Sequence, residues 1–141
     1  MRVSNYCLGK IKEFEGYRAQ AYKDSAGVWT IGYGHTRGVE RYDRTNPRGA
    51  EMYLREDLAP VERYLQTVPE LDTQGKFDAC ADFCFNLGMG AFKASTLLRH
   101  IKAGRTTAEI QAQFRRWVYA GGRILNGLVK RRAWEAERWA D

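Results

Sequence analysis

FEGYRAQAYKDSAGVWTIGYGHT, residues 14–36, is the stretch that decides the fold of this 141-residue chain. Just upstream, Val3, Tyr6, Cys7, Ile11 and Phe14 recur at helical spacing, so residues 4–14 read as an amphipathic helix, with Gly16 a natural stop directly after Glu15. Within the stretch the texture changes. Tyr17, Tyr22, Val28, Trp29, Thr30, Ile31 and Tyr33 favour strands, and Asp24-Ser25-Ala26-Gly27 is a turn signal between them. The reading is a small antiparallel sheet entered from a helix, with Gly32, Gly34 and Gly38 punctuating its end.

Downstream the pattern turns helical. Asn46-Pro47 opens a helix through Met52, Leu54, Leu58, Val61 and Leu65 to about Val68, with Pro60 predicting a kink. A second helix from near Thr73 to Leu87 carries Phe77, Cys80, Ala81 and Cys84 on one face, and Gly88 and Gly90 close it. Ser95 can cap a short helix ending at Gly104. Thr106 and Glu109 form a capping box before Ile110, Phe114, Trp117 and Val118. Gly121-Gly122 is expected to break that helix, and Asn126 to cap a last one reaching Trp139. No later stretch reads as sheet. The fold class is therefore α+β: an N-terminal helix, a small sheet lobe over about residues 15–45, and a larger all-helical lobe over about residues 46–141, in one domain.

A chain of this length buries roughly 70% of its unfolded surface and needs no disulfide or metal to fold. Cys7, on the apolar helix face, and Cys80 and Cys84, in an apolar stretch, read as buried free thiols. Cys80-x3-Cys84 with only two histidines is a poor zinc site. Gly32-x-Gly34-x3-Gly38 lacks the dinucleotide spacing. No metal or cofactor is expected. The first residues hold no apolar core of signal-peptide length, and no stretch approaches a membrane span, so no stable membrane insertion is expected. The net charge of +6 suits a polyanionic partner. Its clusters, Arg115-Arg116 and Lys130-Arg131-Arg132, read as solvated helix faces rather than a nucleic-acid site.

Three residues carry candidate chemistry: Glu15 at the helix end, Asp24 in the hairpin turn and Thr30 in the following strand. Taken singly, Glu15 is an ordinary helix-end glutamate, Asp24 a turn residue and Thr30 a strand residue. Together they set a helix-end carboxylate against a hairpin carboxylate, the pairing that glycoside hydrolysis requires. One carboxyl protonates the leaving oxygen, while the other activates water or attacks the sugar. A threonine hydroxyl can hold a water by hydrogen bonds.

Residues 14–36 also resemble the signature of the phage lysozyme family, to which T4 lysozyme belongs. FNLGMGAFKASTLL, residues 85–98, and WVYAGGRILNGLVKRRAWE, residues 117–135, resemble two further blocks of that family. The resemblance implies a muramidase that cleaves peptidoglycan between N-acetylmuramic acid and N-acetylglucosamine. Glu15 would be its general acid, and Asp24 with Thr30 would orient or activate the water, with inversion at the anomeric carbon. It implies saccharide contacts at Thr36, Phe85, Ser95 and Gln111, and a structural pairing of His35 with Asp57 or, second, Glu56. It further implies a monomer that accumulates in the host cytoplasm and reaches the wall through a holin.

Overall fold

The computed structural model describes all 141 residues, Met1–Asp141. Packing divides the chain into two compact units: Leu8–Pro60, and Met1–Cys7 together with Val61–Asp141.

The small unit takes in most of α1 (Asn5–Glu15), the hairpin β1 (Arg18–Lys23) and β2 (Trp29–Gly32), and the first part of α2 (Pro47–Leu65). The expected helix, hairpin and Pro47 helix are all present. Asn46 caps α2 through its Oδ1, which accepts the Gly49 N–H at 2.8 Å. Proline then occupies the first helical position, where a missing N–H is harmless. The core of this unit is Leu8, Ile11, Ile31, Ala50, Leu54 and Leu58, all buried. Gly32 lets β2 approach α2 closely, since a methyl there would stand 3.0 Å from Ala50 Cβ. α2 continues past Pro60 without a break in its helical assignment, although Pro60 has no N–H to offer the carbonyl of Glu56. The two units divide at that residue.

The helical unit is built round α3 (Gln74–Leu87), buried along Gly75 and Phe77–Cys84. Phe77, Phe83, Phe92, Leu97, Ile110 and Phe114 form its core with Ala136 and Trp139. Two buried carboxylates interrupt this apolar helix. Asp78 accepts five hydrogen bonds: from the backbone and side chain of Ser4, from Gln74, and from Arg138 Nε and Nη2. Asp82 takes a forked pair from Arg131, with distances down to 2.8 Å. Arg138 and Arg131 both stand on α7 (Asn126–Trp139). Beside them Arg132 is fully buried, reaching Asn86 at 2.7 Å and Glu135 at 2.9 Å. Its Nε also lies 2.7 Å from the second Glu135 oxygen, though off the line of a hydrogen bond. Burial and the neighbouring Asp82 push the Glu135 carboxyl well up, against the pull of Arg132. Arg131 and Arg132 are therefore not the solvated face that the sequence suggested.

Other expectations are corrected here. The remainder is not all helical: β3 (Tyr119–Ala120) and β4 (Arg123–Ile124) form a second hairpin. Its loop is Gly121-Gly122, with φ of 58° and 77°, the positive pair that a two-residue hairpin loop demands. α6 (Thr107–Phe114) accordingly ends before Trp117. A short α4 (Met89–Lys93) follows Gly88, where the sequence suggested a plain stop. Asn126 begins α7 rather than capping it. Leu125 holds the cap position, with no side-chain hydrogen bond. Ser95 and Thr106 do cap α5 (Thr96–Lys102) and α6. All three cysteines are buried and free, and burial drives each thiol well above its usual range.

Replacing the fully buried Asp78 by alanine removes the shared acceptor of the half-buried Ser4 donors and of Arg138, which keeps only the Asp141 carboxylate at 3.5 Å. Urea unfolding of Asp78→Ala should show a loss of about 3–5 kcal/mol. A loss below about 1 kcal/mol, the scale of an exposed pair, would show that this network contributes little.

Candidate active site

Local chemistry sets each wall of the site within the small unit. α1 ends at Glu15 because Gly16 follows in the left-handed region at φ 72°, its N–H closing on Lys12 O at 2.9 Å. The chain reverses there and enters β1. β1 and β2 pair antiparallel with Tyr22 opposite Thr30 and Lys23 opposite Trp29, and the register slips between Arg18 and Tyr22.

Asp24 holds the hairpin turn. Its Oδ1 accepts the N–H groups of Ala26 and Val28, both at 2.9 Å, while its own N–H donates to Val28 O. The ordinary turn role is thus filled by one carboxylate oxygen. Oδ2 carries no protein hydrogen bond and remains available. Thr30 is buried, and its hydroxyl donates to Val28 O at 2.9 Å, leaving lone pairs that can accept from a water.

Beyond β2 the chain reverses again. Ile31 and His35 exchange two backbone hydrogen bonds of 2.9 Å across Gly32-Tyr33-Gly34. This reversal brings Gly34, at φ 81°, against the acid: a methyl on Gly34 would lie 2.8 Å from Glu15 Oε1. The end of α1 and the end of the hairpin therefore meet at the Glu15 carboxylate. His35 fixes the reversal to α2. Its Nδ1 sits 2.9–3.0 Å from the two carboxylate oxygens of Asp57, and its ring stacks flat on Tyr53 with centroids 4.2 Å apart. The expected partner of His35 is the observed one, and Glu56 is not used.

Glu15, Asp24, Thr30 and the exposed Thr36 all belong to this small unit. Phe85, Ser95 and Gln111 belong to the helical unit. Phe85 is half-buried on α3. Ser95 is buried, its hydroxyl donating to Phe92 O at 2.6 Å and accepting the Leu98 N–H at 3.0 Å. Gln111 donates its side-chain amide to Ala136 O at 2.8 Å and so ties α6 to α7. These polar contacts hold helices. Gly34 was legible in the sequence only as turn punctuation, although a glycine between strand and histidine is where a close approach needs one.

Residues 12–135 match the phage lysozyme family. The chain is 41% identical over 137 residues to an endolysin of Acyrthosiphon pisum secondary endosymbiont phage 1, covering 94% of this chain and 93% of that protein. It is 40% identical over 139 residues to an endolysin of Bacillus phage PZA, covering 96% of this chain but spanning only 54% of that longer protein. Among solved structures, the muramidase domain of SpmX from Asticaccaulis excentricus aligns with a TM-score of 0.87 at 35% identity, over 99% of this chain and 98% of that one.

Gly34 and Gly38 share the left-handed backbone, but only Gly34 has a neighbour within reach of a new methyl. Gly38→Ala should cost the backbone penalty alone, about 1–2 kcal/mol. Gly34→Ala should cost more and should also displace the Glu15 carboxyl, read as a shift of its side-chain carboxyl carbon resonance. Equal stabilities and an unmoved Glu15 signal would remove Gly34 from the site.

Proposed function

The chain belongs to the phage lysozyme family, and from that premise we propose that it cuts the β-1,4 bond between N-acetylmuramic acid and N-acetylglucosamine by general acid catalysis from Glu15. As a lysozyme of this family it hydrolyses bacterial peptidoglycan. The observation that carries the reading is the meeting of helix end and hairpin at Gly34, which sets the Glu15 carboxylate against the end of the hairpin.

Glu15 donates its proton to the glycosidic oxygen as the bond to the anomeric carbon lengthens. Asp24 Oδ2 and the Thr30 hydroxyl hold a water on the opposite face of the sugar, and Asp24 draws off its proton as the new bond forms. Proton, water and leaving alcohol then balance, and the product has the inverted configuration. Asp24 suits this task because its Oδ1 is already fixed by two backbone donors, so the second oxygen is oriented before substrate arrives. Thr36 and Phe85 contact the saccharide in this reading, while Ser95 and Gln111 support the helices around such contacts. The enzyme works without metal or cofactor. It accumulates in the host cytoplasm as a monomer, binds no nucleic acid, and reaches the wall through a holin. No helix of the structure is long and apolar enough to cross a membrane.

Glu15→Gln changes shape hardly at all but removes the donor. Lysis of permeabilised Gram-negative cells should fall by about 10² to 10⁴ or more, the range of general acid catalysis, while the fold survives. Asp24→Asn should also impair cleavage. Proton NMR of fresh product should show the inverted anomer. Near-normal lysis by Glu15→Gln would sink the assignment, and a 1,6-anhydro product would mean a lytic transglycosylase instead.

Charge supplies a further outcome. With a net charge of +6, wall lysis should weaken as salt rises, since screening cuts the interaction to about 10 Å at 0.1 M. Cleavage of a short neutral oligosaccharide should barely respond. Equal salt effects on both substrates would place the cause elsewhere.

A further inference from the structure

A second feature of the small unit takes no part in this chemistry. Gln20, Ala21, Trp29, Arg41, Tyr42 and Arg44 line an open cavity of about 370 Å³. Trp29 and Thr30 are consecutive strand residues, so their side chains point to opposite faces of β2. The cavity therefore lies on the face of the hairpin away from Thr30.

Its lining is hard to explain by folding alone. Tyr42 is the chain's one non-glycine residue with positive φ, at 74°, and it is 81% exposed. A tyrosine in the left-handed region is strained, and burying its ring would be the usual compensation. Here nothing is buried. The segment that holds it is firmly sewn: Ala21 N–H donates to Asp43 O at 2.9 Å, Thr45 N–H to Ala19 O at 2.8 Å, and Glu40 N–H to Asp43 Oδ2 at 2.8 Å. The ring is thus presented on a rigid support. Arg41 and Arg44 form no ion pair with any carboxylate of the protein. Arg41 instead lies over the Tyr42 ring at 5.0 Å, and Lys23 over the Trp29 ring at 5.4 Å. Two guanidiniums without carboxylate partners, two aromatic rings and an amide around one concavity suit a ligand with both carboxylates and flat, weakly polar ring faces.

We propose that this cavity is a second wall-binding site, which takes the carboxylate-bearing stem peptide of an uncut peptidoglycan strand and rests the adjoining sugar on Trp29 and Tyr42. This rests on the lysozyme reading, which supplies peptidoglycan as the polymer at hand. Arg41 and Arg44 pair with stem carboxylates, and Gln20 hydrogen-bonds the peptide or the acetamido group. Engaging this site while the catalytic face holds another part of the wall keeps the enzyme on an insoluble substrate between cuts.

The probes are purified sacculi, the same sacculi stripped of stem peptides by an amidase, a short peptide-free glycan, and a single-stranded oligonucleotide. The double variant Arg41→Gln/Arg44→Gln should bind intact sacculi about tenfold more weakly, the scale of one charge-assisted hydrogen bond. It should match the parent on stripped sacculi and cleave the short glycan at the parent rate. Tyr42→Gly should melt higher than the parent, because glycine relieves the strain, yet bind intact sacculi less well. Unchanged sacculus binding, an equal loss on stripped sacculi, or tighter binding of the oligonucleotide than of intact sacculi would each overturn the proposal. Failure of the parent to cleave the short glycan would instead strike at the lysozyme reading and leave the binding comparison standing by itself.

Discussion

Two carboxylates buried in the middle of one helix constrain the rest of the helical unit. Asp78 and Asp82, one turn apart on α3, sit where an apolar helix would place leucines, and both are completely buried. Removing a carboxylate from water costs several kcal/mol even after relaxation, so each must find a full set of donors. Ser4 and Gln74 supply part of the set for Asp78, and the charged donors come from α7. Arg138 serves Asp78 and Arg131 serves Asp82, so the higher-numbered residue of one helix meets the lower-numbered residue of the other. Two such pairs fix α7 antiparallel to α3 and settle its register along it, which apolar packing alone does less sharply. Gly75 belongs to the same arrangement, because any side chain there would run into the backbone carbonyls of Arg138 and Asp141.

The small unit solves a similar positioning problem with fewer charges. Its acid is held by geometry that begins on α2, where Tyr53 and Asp57 grip the His35 ring from its face and its edge. His35 closes the backbone reversal with Ile31, the reversal presents Gly34, and Gly34 leaves just enough room for the Glu15 carboxylate. Each link is short-range and rigid. The hairpin arm is equally economical, since Asp24 ties its own turn with one oxygen and leaves the other without a protein hydrogen bond. A carboxylate built into the turn that shapes the site needs little further support.

Much of this was readable from residue order, and the gaps have physical causes. Glu15, Asp24 and Thr30 stood out because a helix stop, a turn and a strand each have a local signal. The Ser95 and Thr106 caps were equally local. The β3–β4 hairpin was missed although Gly121-Gly122 is a hairpin signal as well as a helix breaker. Trp117 and Val118 extended the helical spacing of Ile110 and Phe114, and that pattern outweighed the turn. α4, at five residues, is too short to show a period. Arg131 and Arg132 looked like a solvated helix face, and nothing in residue order singled out Asp78 and Asp82 as buried. Burial of opposite charges against each other depends on partners 49 and 60 residues apart in sequence, which no periodicity reveals. Gly34 was visible as a turn, but its closeness to Glu15 is a tertiary fact.

The three thiols acquire a use from where they fall. Cys7, Cys80 and Cys84 all belong to the helical unit, and the stretch Leu8–Pro60 that carries Glu15, Asp24 and Thr30 has none. A thiol-specific alkylating reagent added to the native protein meets no accessible thiol. The rate at which it consumes Cys80 and Cys84 on α3 is therefore a clock for the opening of the helical unit alone. The clock is blind to any breathing of the hairpin that carries Asp24 and Thr30, so the two kinds of motion can be timed separately in the unmodified chain.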